Sequence, residues 1–200
     1  MANSELTGIT GTSDGQYVAV GHIFGSSEYD AVIVKFDKSG LLDTNFDSDG
    51  IVYIGVDDNK DNVLNDVALD ASGNIIVVGE ENHDIYLGQL SNTGASLGST
   101  TVINTDAQTA VAVEVDRFGG IVVASQNEHG FELYRYKSDW SQLSHYHSRY
   151  IGEVAKVRDI TIDSIGNIYL TGSAQIDEEW DIFVLKYPSA VGSFQNVGLD

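Results

Sequence analysis

The amino-acid sequence predicts an all-β fold made of four repeated, four-stranded antiparallel sheets. Three observations carry that prediction. The first is self-similarity: "GTSDGQYVAVG" (11–21), "ALDASGNIIVVG" (68–79), "EVDRFGGIVVAS" (114–125) and "TIDSIGNIYLTG" (161–172) each place a short apolar run after a polar, glycine-bearing turn. A second run follows each of them, in "DAVIVKF" (30–36), "DIYLGQL" (84–90), "GFELYRY" (130–136) and "DIFVLKY" (181–187). The turn glycines Gly15, Gly73, Gly119 and Gly166 are 58, 46 and 47 residues apart. The second observation is that these runs are short, rich in Val, Ile and Tyr, and bounded by Gly, Asn, Asp and Ser, which is how hairpin-joined strands read. The third excludes helix: no stretch keeps a 3.6-residue apolar period for three turns, and 21 glycines would weaken any helix that carried them.

Each unit parses into four strands. A first strand such as "NDVALD" (65–70) precedes the apolar second and the mixed third, and a variable fourth such as "GIVYIGV" (50–56) closes the unit. Four strands recurring every ~50 residues is the pattern of β-propeller blades. The blades are expected at 6–56, 64–103, 109–153 and 157–198, within one propeller domain covering 1–200. Three arrangements fit: a four-bladed ring within one chain, which is preferred, half of an eight-bladed ring completed by a homodimer, or a fragment of a longer array.

Composition restricts the function classes. Six Lys and four Arg face 30 acidic residues, and the net charge of −20 repels phosphate backbones, so nucleic acid is not an expected partner. The same charge suits a solvated acidic surface or the binding of divalent cations. With no cysteine, disulfides and thiol chemistry are excluded. No apolar run has the length of a membrane helix, and residues 1–8 lack the pattern of a signal peptide, so membrane insertion is not expected.

The stretch "AVIVKFDKSGLLDTNFDSDGIVYI" (31–54) resembles the delta-60 repeat of bacterial propeller-like proteins, with Leu42, Asp43, Phe46 and Gly50 carrying the match. The turns in "DASGNIIVVG" and "DSIGNIYLTG" resemble the strand-turn-strand element shared by delta-60, SBBP-type and NHL-type repeats. The resemblance implies a propeller and leaves function open. It also isolates a departure: the repeat usually has glycine straight after the Phe, where this chain has Asp47.

That departure creates an alternation of Asp43, Asn45, Asp47 and Asp49 before Gly50, a candidate calcium loop, because a turning run of oxygen-bearing side chains can gather the oxygens Ca²⁺ requires. Counting Asn45 as position 1 puts Val56 where an EF-hand carries its bidentate Glu, so Asp57 or Asp58 would have to substitute. The competing reading is a turn held by Asx hydrogen bonds. A second candidate metal site lies in the first strands. Aligning the units on their turn glycines sets Gly8, Asp66, Ala112 and Asp159 at one level, and in a closed four-bladed ring Asp66 and Asp159 would converge on the channel.

Enzyme signatures are weak. His145 and His147 share a strand face, with His129 in a nearby loop, but a zinc site needs a placed third ligand. There is no G-x-S-x-G, H-E-x-x-H or P-loop. Aromatic residues gather in the third unit as Tyr134, Tyr136, Trp140, Tyr146 and Tyr150. Aromatic faces flanked by carboxylates suit sugar rings, and packing between blades uses the same residues. Trp140, in "KSDWSQ", is expected to be exposed; Tyr134 and Tyr136 share a face.

The favoured expectation is therefore a non-catalytic, extracellular or cell-surface, adhesin-like binding module for a carbohydrate or protein, stabilised by calcium, with recognition by loops at one end of the sheets. The alternatives are a metal-dependent enzyme built on Asp66, Asp159 and a histidine, and a structural assembly unit.

Overall fold

A computed structural model describes residues 4–25, 28–56, 60–97, 101–103, 109–127, 130–147, 154–189 and 195–196. Among them are sixteen strands and no helix. The first sheet is β1 (Glu5–Gly11), β2 (Tyr17–Phe24), β3 (Tyr29–Phe36) and β4 (Ile51–Ile54). The second is β5 (Asn62–Leu69), β6 (Ile75–Glu81), β7 (Asp84–Leu90) and β8 (Thr101–Ile103). β9 (Thr109–Val115), β10 (Ile121–Asn127), β11 (Gly130–Tyr136) and β12 (Gln142–His147) form the third. β13 (Val154–Ile162), β14 (Ile168–Ile176), β15 (Glu179–Tyr187) and β16 (Gln195–Asn196) form the fourth. In every sheet the strands lie side by side in chain order, as short hairpin connections require.

The repeated glycine turn builds both the first and the third hairpin of a sheet. Seven turns share one backbone pattern, in which the first residue's N–H donates to the fifth residue's carbonyl and the fourth residue's N–H donates to the first residue's carbonyl. They run 12–16, 37–41, 70–74, 91–95, 116–120, 137–141 and 163–167. In six of them the fourth residue is a glycine, with φ between 77° and 90°, a left-handed conformation that costs glycine nothing. In the same six, a side-chain oxygen of the first residue accepts an amide within the turn, as Asp70 Oδ1 does from Ser72 and Asn74 and Asp116 Oδ1 from Phe118 and Gly120. The second hairpins of the second and fourth sheets turn on two residues only, Asn82–His83 and Asp177–Glu178, all four with positive φ, which matches the twist of the strands they join.

First strands carry a bulge at a fixed place, at Thr7, Asn65 and Arg158. The bulge pushes the first strand's backbone against the second strand, where only glycine fits: a Cβ on Gly21, Gly79 or Gly172 would lie 1.9, 1.9 and 2.2 Å from the carbonyl oxygens of Glu5, Val63 and Lys156.

The chain divides into two compact units, 1–110 and 111–200. In the first, Val18, Val20, Ala31 and Ile33 of the first sheet pack with Leu64, Val67, Ile75, Val77, Tyr86 and Leu90 of the second. In the second, Val122, Ala124, Phe131 and Leu133 of the third sheet pack with Val157, Ile168, Leu170, Leu185 and Tyr187 of the fourth. Period-2 alternation in the sequence is thus spent on placing one face of each sheet against its neighbour.

Candidate functional site

The acidic segment 43–50 forms a clasp between the first and second sheets. Asp43 is buried at 7 % exposure. Its Oδ1 accepts from the backbone N–H (3.1 Å) and side-chain amide (3.0 Å) of Asn45, and its Oδ2 accepts from Gln16 Nε2 at 3.0 Å and faces Lys35 Nζ at 3.4 Å. The Asn45 backbone N–H holds the Asp43 carboxyl below the ordinary value of 3.8 against the opposing effect of burial, aided by the Asn45, Lys35 and Gln16 side chains. Phe46 is fully buried in the core of the first unit. The clasp reaches the second sheet's turn through Asp47 N–H to the Thr93 carbonyl at 3.0 Å and Lys35 Nζ to the Asn92 carbonyl at 2.9 Å. Asp49 Oδ1 accepts from the Ile51 amide at 2.9 Å. Asp47 has φ 45°, the left-handed conformation that glycine adopts most readily.

These four residues are engaged separately, Asp43 and Asn45 with each other and Asp49 with the start of β4. Among the described residues no three His, Asp or Glu side chains are grouped to hold a metal ion. Asp57 and Asp58 lie outside the described residues.

Asp66 and Asp159 occupy equivalent places, each directly after the bulge and paired with Val78 and Thr171, as Gly8 is with Val20. Each uses Oδ1 to accept the N–H of the next residue at 2.8 Å. Asp66 is half-buried in the first unit, and Asp159 is exposed in the second.

Tyr134 and Tyr136 do share a face of β11, but burial corrects the expectation that this face meets a ligand. They are 3 % and 6 % exposed, so both rings are already covered. Burial, reinforced by the hydrogen bond to Glu132, pushes the Tyr134 phenol up, and burial alone raises Tyr136 to about 12. His145 stands opposite Tyr134, and His147 opposite Glu132, in the β11–β12 ladder. His129 and Tyr150 lie outside the described residues.

Trp140 is different. It stands at the fourth position of the turn 137–141, where the six sister turns have glycine, and holds φ 66°. Left-handed backbone in a bulky residue is a true outlier, costing about 1–2 kcal/mol. The turn also lacks the usual acceptor at its first position, because that residue is Lys137; Asp139 Oδ1 takes the Ser141 N–H instead, at 2.9 Å. Trp140 is half-buried, a partial correction to its expected exposure, while Lys137, Ser138, Asp139 and Ser141 around it are exposed.

The other turn at this end of the same sheet, 116–120, adds a residue the sequence reading missed. Phe118 is 72 % exposed, and the Arg117 guanidinium lies over its ring at 4.6 Å from the centroid. The two turns touch: a Cβ on Gly119 would be 3.1 Å from Ser138 Cβ. Beneath them Asp116, 8 % exposed, pairs with Arg135 at 3.0 Å. Burial opposes ionisation of Asp116, but the amides of Gly120 and Phe118 and the Arg135 charge outweigh it and hold the carboxyl low. A signal for Phe118 was present, since the third position that it fills in "DRFGG" is Asp, Ser or Thr in five of the six other turns, Ile165 in 163–167 being the exception. The end of the third sheet thus presents an exposed aromatic ring, a strained Trp, two cations and a carboxylate on a rigid base.

No protein-family model and no curated protein sequence matches the chain. Solved structures do resemble it. Dipeptidyl peptidase 4 of Porphyromonas gingivalis aligns at 9 % identity with a TM-score of 0.53 over 93 % of this chain and 29 % of that one. The catalytic domain of the GH62 α-L-arabinofuranosidase of Coprinopsis cinerea aligns at 12 % identity with a TM-score of 0.52, over 96 % of this chain and 68 % of that one. At such identities the likeness is one of fold, and the fold is all-β and propeller-like.

Proposed function

We propose that this protein is a non-catalytic binding module that recognises a carbohydrate at the turn end of its third sheet. The observation that carries the reading is the turn 137–141, which gives up both devices that stabilise its six sisters and places a tryptophan in the strained position. Strain kept where a glycine would relieve it points to a role for the side chain. Phe118 and Trp140 offer apolar ring faces, and Arg117, Lys137 and Asp139 offer donors and an acceptor for hydroxyl edges. The sheets serve as a scaffold that holds short variable turns, which is where recognition is usually built. Delta-60-type propeller blades in an extracellular or cell-surface protein belong to the same reading, supported by the acidic composition and the motif at 42–50. Calcium in the 43–50 loop is not required by it.

The test is binding of the whole protein to an array of glycans, followed by calorimetry on the best ligand. Trp140→Gly, which restores the residue of the sister turns, is expected to abolish binding while the protein keeps its circular dichroism spectrum. Phe118→Ser is expected to weaken it at least ~10-fold, the loss of roughly one aromatic contact. Retained affinity in both variants would overturn the proposal, as would an absence of any glycan ligand.

A further inference from the structure

The turn end of the third sheet departs from the rest of the chain in charge as well as in turn chemistry. The whole protein sets 30 acidic residues against ten basic ones, a net charge of −20. The turn ends of the first two sheets follow that trend. Turns 12–16 and 37–41 and the clasp 43–50 contain five Asp, against Lys35 and Lys38, and the second sheet has Asp70 in its first turn and no Lys or Arg anywhere in 62–103. At the third sheet the balance reverses, with Arg117, Arg135 and Lys137 against Asp116 and Asp139. The turn 163–167, where a Cβ on Gly166 would lie 3.9 Å from Arg135 Nη2, leaves that excess unchanged: it brings Asp163, and Lys186 lies over the ring of Tyr169, whose hydroxyl donates to Asp163 Oδ2.

The carboxylates at this end are engaged by internal donors. Asp116 accepts the Phe118 and Gly120 amides and pairs with Arg135. Asp139 accepts the N–H and the hydroxyl of Ser141, at 2.9 and 2.5 Å. Asp163 accepts from Ile165, Asn167 and Tyr169. The cations Arg117 and Lys137 are both exposed. Lys137 helps to hold the Asp139 carboxyl low, but neither cation forms an ion pair with a described residue, whereas Lys35, Lys60 and Arg135 do. Arg117 lies instead over the Phe118 ring, 4.6 Å from its centroid. Such stacking steadies a planar guanidinium whose N–H fork fits an anionic oxygen pair. Lys137 fills the first position of its turn, where the six sister turns have Asp, Ser or Thr, so one substitution both gave up an acceptor and added a cation. Two like charges on touching turns repel each other, and an anion bound beside them relieves that repulsion. The −20 of the whole protein opposes an anionic ligand at long range, but at physiological ionic strength charges beyond about 8 Å are largely screened, so the contacts within the two turns decide.

We propose that the sugar recognised here is acidic: its ring stacks on Trp140 or Phe118, and a carboxylate or sulfate ester on that ring pairs with Arg117 and Lys137. The inference rests on the carbohydrate reading above and narrows it to a charged class.

Calorimetry on the full chain tests it, at fixed physiological ionic strength and with chelator present so that calcium does not bridge two anions. The probes are tetragalacturonate and its methyl ester, a sulfated galactose tetramer and its unsulfated form, and tetraglutamate. At least one charged sugar is expected to bind about 10-fold or more tightly than its uncharged counterpart, and the arm that does so identifies the anion. Arg117→Gln and Lys137→Gln should each remove most of that preference, with Arg117→Lys, which keeps the charge and loses the fork, in between. Lys137→Asp, which restores the acceptor of the sister turns, should abolish binding of the charged sugar without lowering Tm. Equal affinity for charged and uncharged sugars, or binding of uncharged glycans alone, overturns the inference and leaves the carbohydrate reading standing; no glycan bound at all overturns both. A charged sugar held as tightly by Arg117→Gln and Lys137→Gln is bound elsewhere and overturns the inference, as does equal binding of tetraglutamate, which would mean that an acidic peptide or bare charge is recognised.

Discussion

The segment 43–50 is best tested by setting Phe46→Ala against Asp47→Gly. Phe46 is fully buried among Val18, Val20, Ala31 and Ile33 of the first sheet and Leu64 and Val67 of the second, and truncating such a ring costs about 3–5 kcal/mol. Unfolding entropy near 2.1 cal/mol/K per residue gives about 230 cal/mol/K if residues 1–110 melt as a unit, so the expected fall in Tm is about 13–22 °C. If all 200 residues melt together, the same loss is diluted to about 7–12 °C. Asp47→Gly removes an exposed carboxylate and leaves the backbone in a conformation glycine prefers, so its effect should stay within about 0.5 kcal/mol. Differential scanning calorimetry reads both values, and the number of transitions shows which entropy applies. Equal shifts for the two variants, or a larger one for Asp47→Gly, would refute the view that this loop works through its aromatic anchor.

Three further outcomes follow from the same contacts. Because Asp43 already holds Asn45, Gln16 and Lys35, millimolar calcium against chelator at fixed ionic strength should move Tm by less than about 2 °C; a specific site at a hundredfold excess would move it by roughly 5–10 °C, and such a shift lost in Asp47→Gly would reinstate a calcium loop. Asp43 and Asp116 have carboxyls held below 3.8 in the folded protein, so the stability they provide is full above the unfolded value and disappears as pH falls through their folded values; Tm should drop below pH ~4, less steeply in Asp116→Asn, and a Tm that stays flat down to pH ~2.5 would contradict the assignment. Gly79→Ala should cost about 2 kcal/mol or more, since its Cβ would sit 1.9 Å from the Val63 carbonyl oxygen; a neutral result in chemical denaturation would mean that the bulge gives way.

Most of the architecture was legible because the turn chemistry repeats. A glycine in the left-handed conformation and an oxygen-bearing residue three before it mark the same hairpin six times, and the alternating runs between them fix the strands. The site was less legible for a physical reason. Alternation says which residues share a face, not whether that face is covered, so Tyr134 and Tyr136 read equally as a ligand platform and as core. Spacing had the same ambiguity at 43–50, where Asp and Asn at alternate positions serve a cation or their own backbone amides equally well. Buried Phe46 and the Lys35 contact, neither visible in the oxygen pattern, show what the segment does for the fold. Phe118 escaped because a turn position carries no period, and an apolar residue there, as also at Ile165, does not announce its exposure.

The useful functional signal lies where the repeat breaks. In a repeated scaffold every turn faces the same backbone demands, so a departure must be offset by packing elsewhere or retained for another purpose. Asp47 also holds left-handed backbone, yet it sits in a clasp already secured by Phe46, Lys35 and the Thr93 carbonyl, so its conformation is cheap and carries little information. Trp140 replaces a glycine in a turn that has also lost its first-position acceptor, with the exposed ring of Phe118 on the touching turn. Two costs in one turn, beside an aromatic that gains nothing from burial, are harder to attribute to folding. The Trp140→Gly variant separates these cases: relief of the left-handed strain raises or preserves Tm only if the indole contributes little to packing. A variant that melts no earlier and no longer binds would place the cost of that turn on recognition, and one that melts several degrees earlier would return Trp140 to the core.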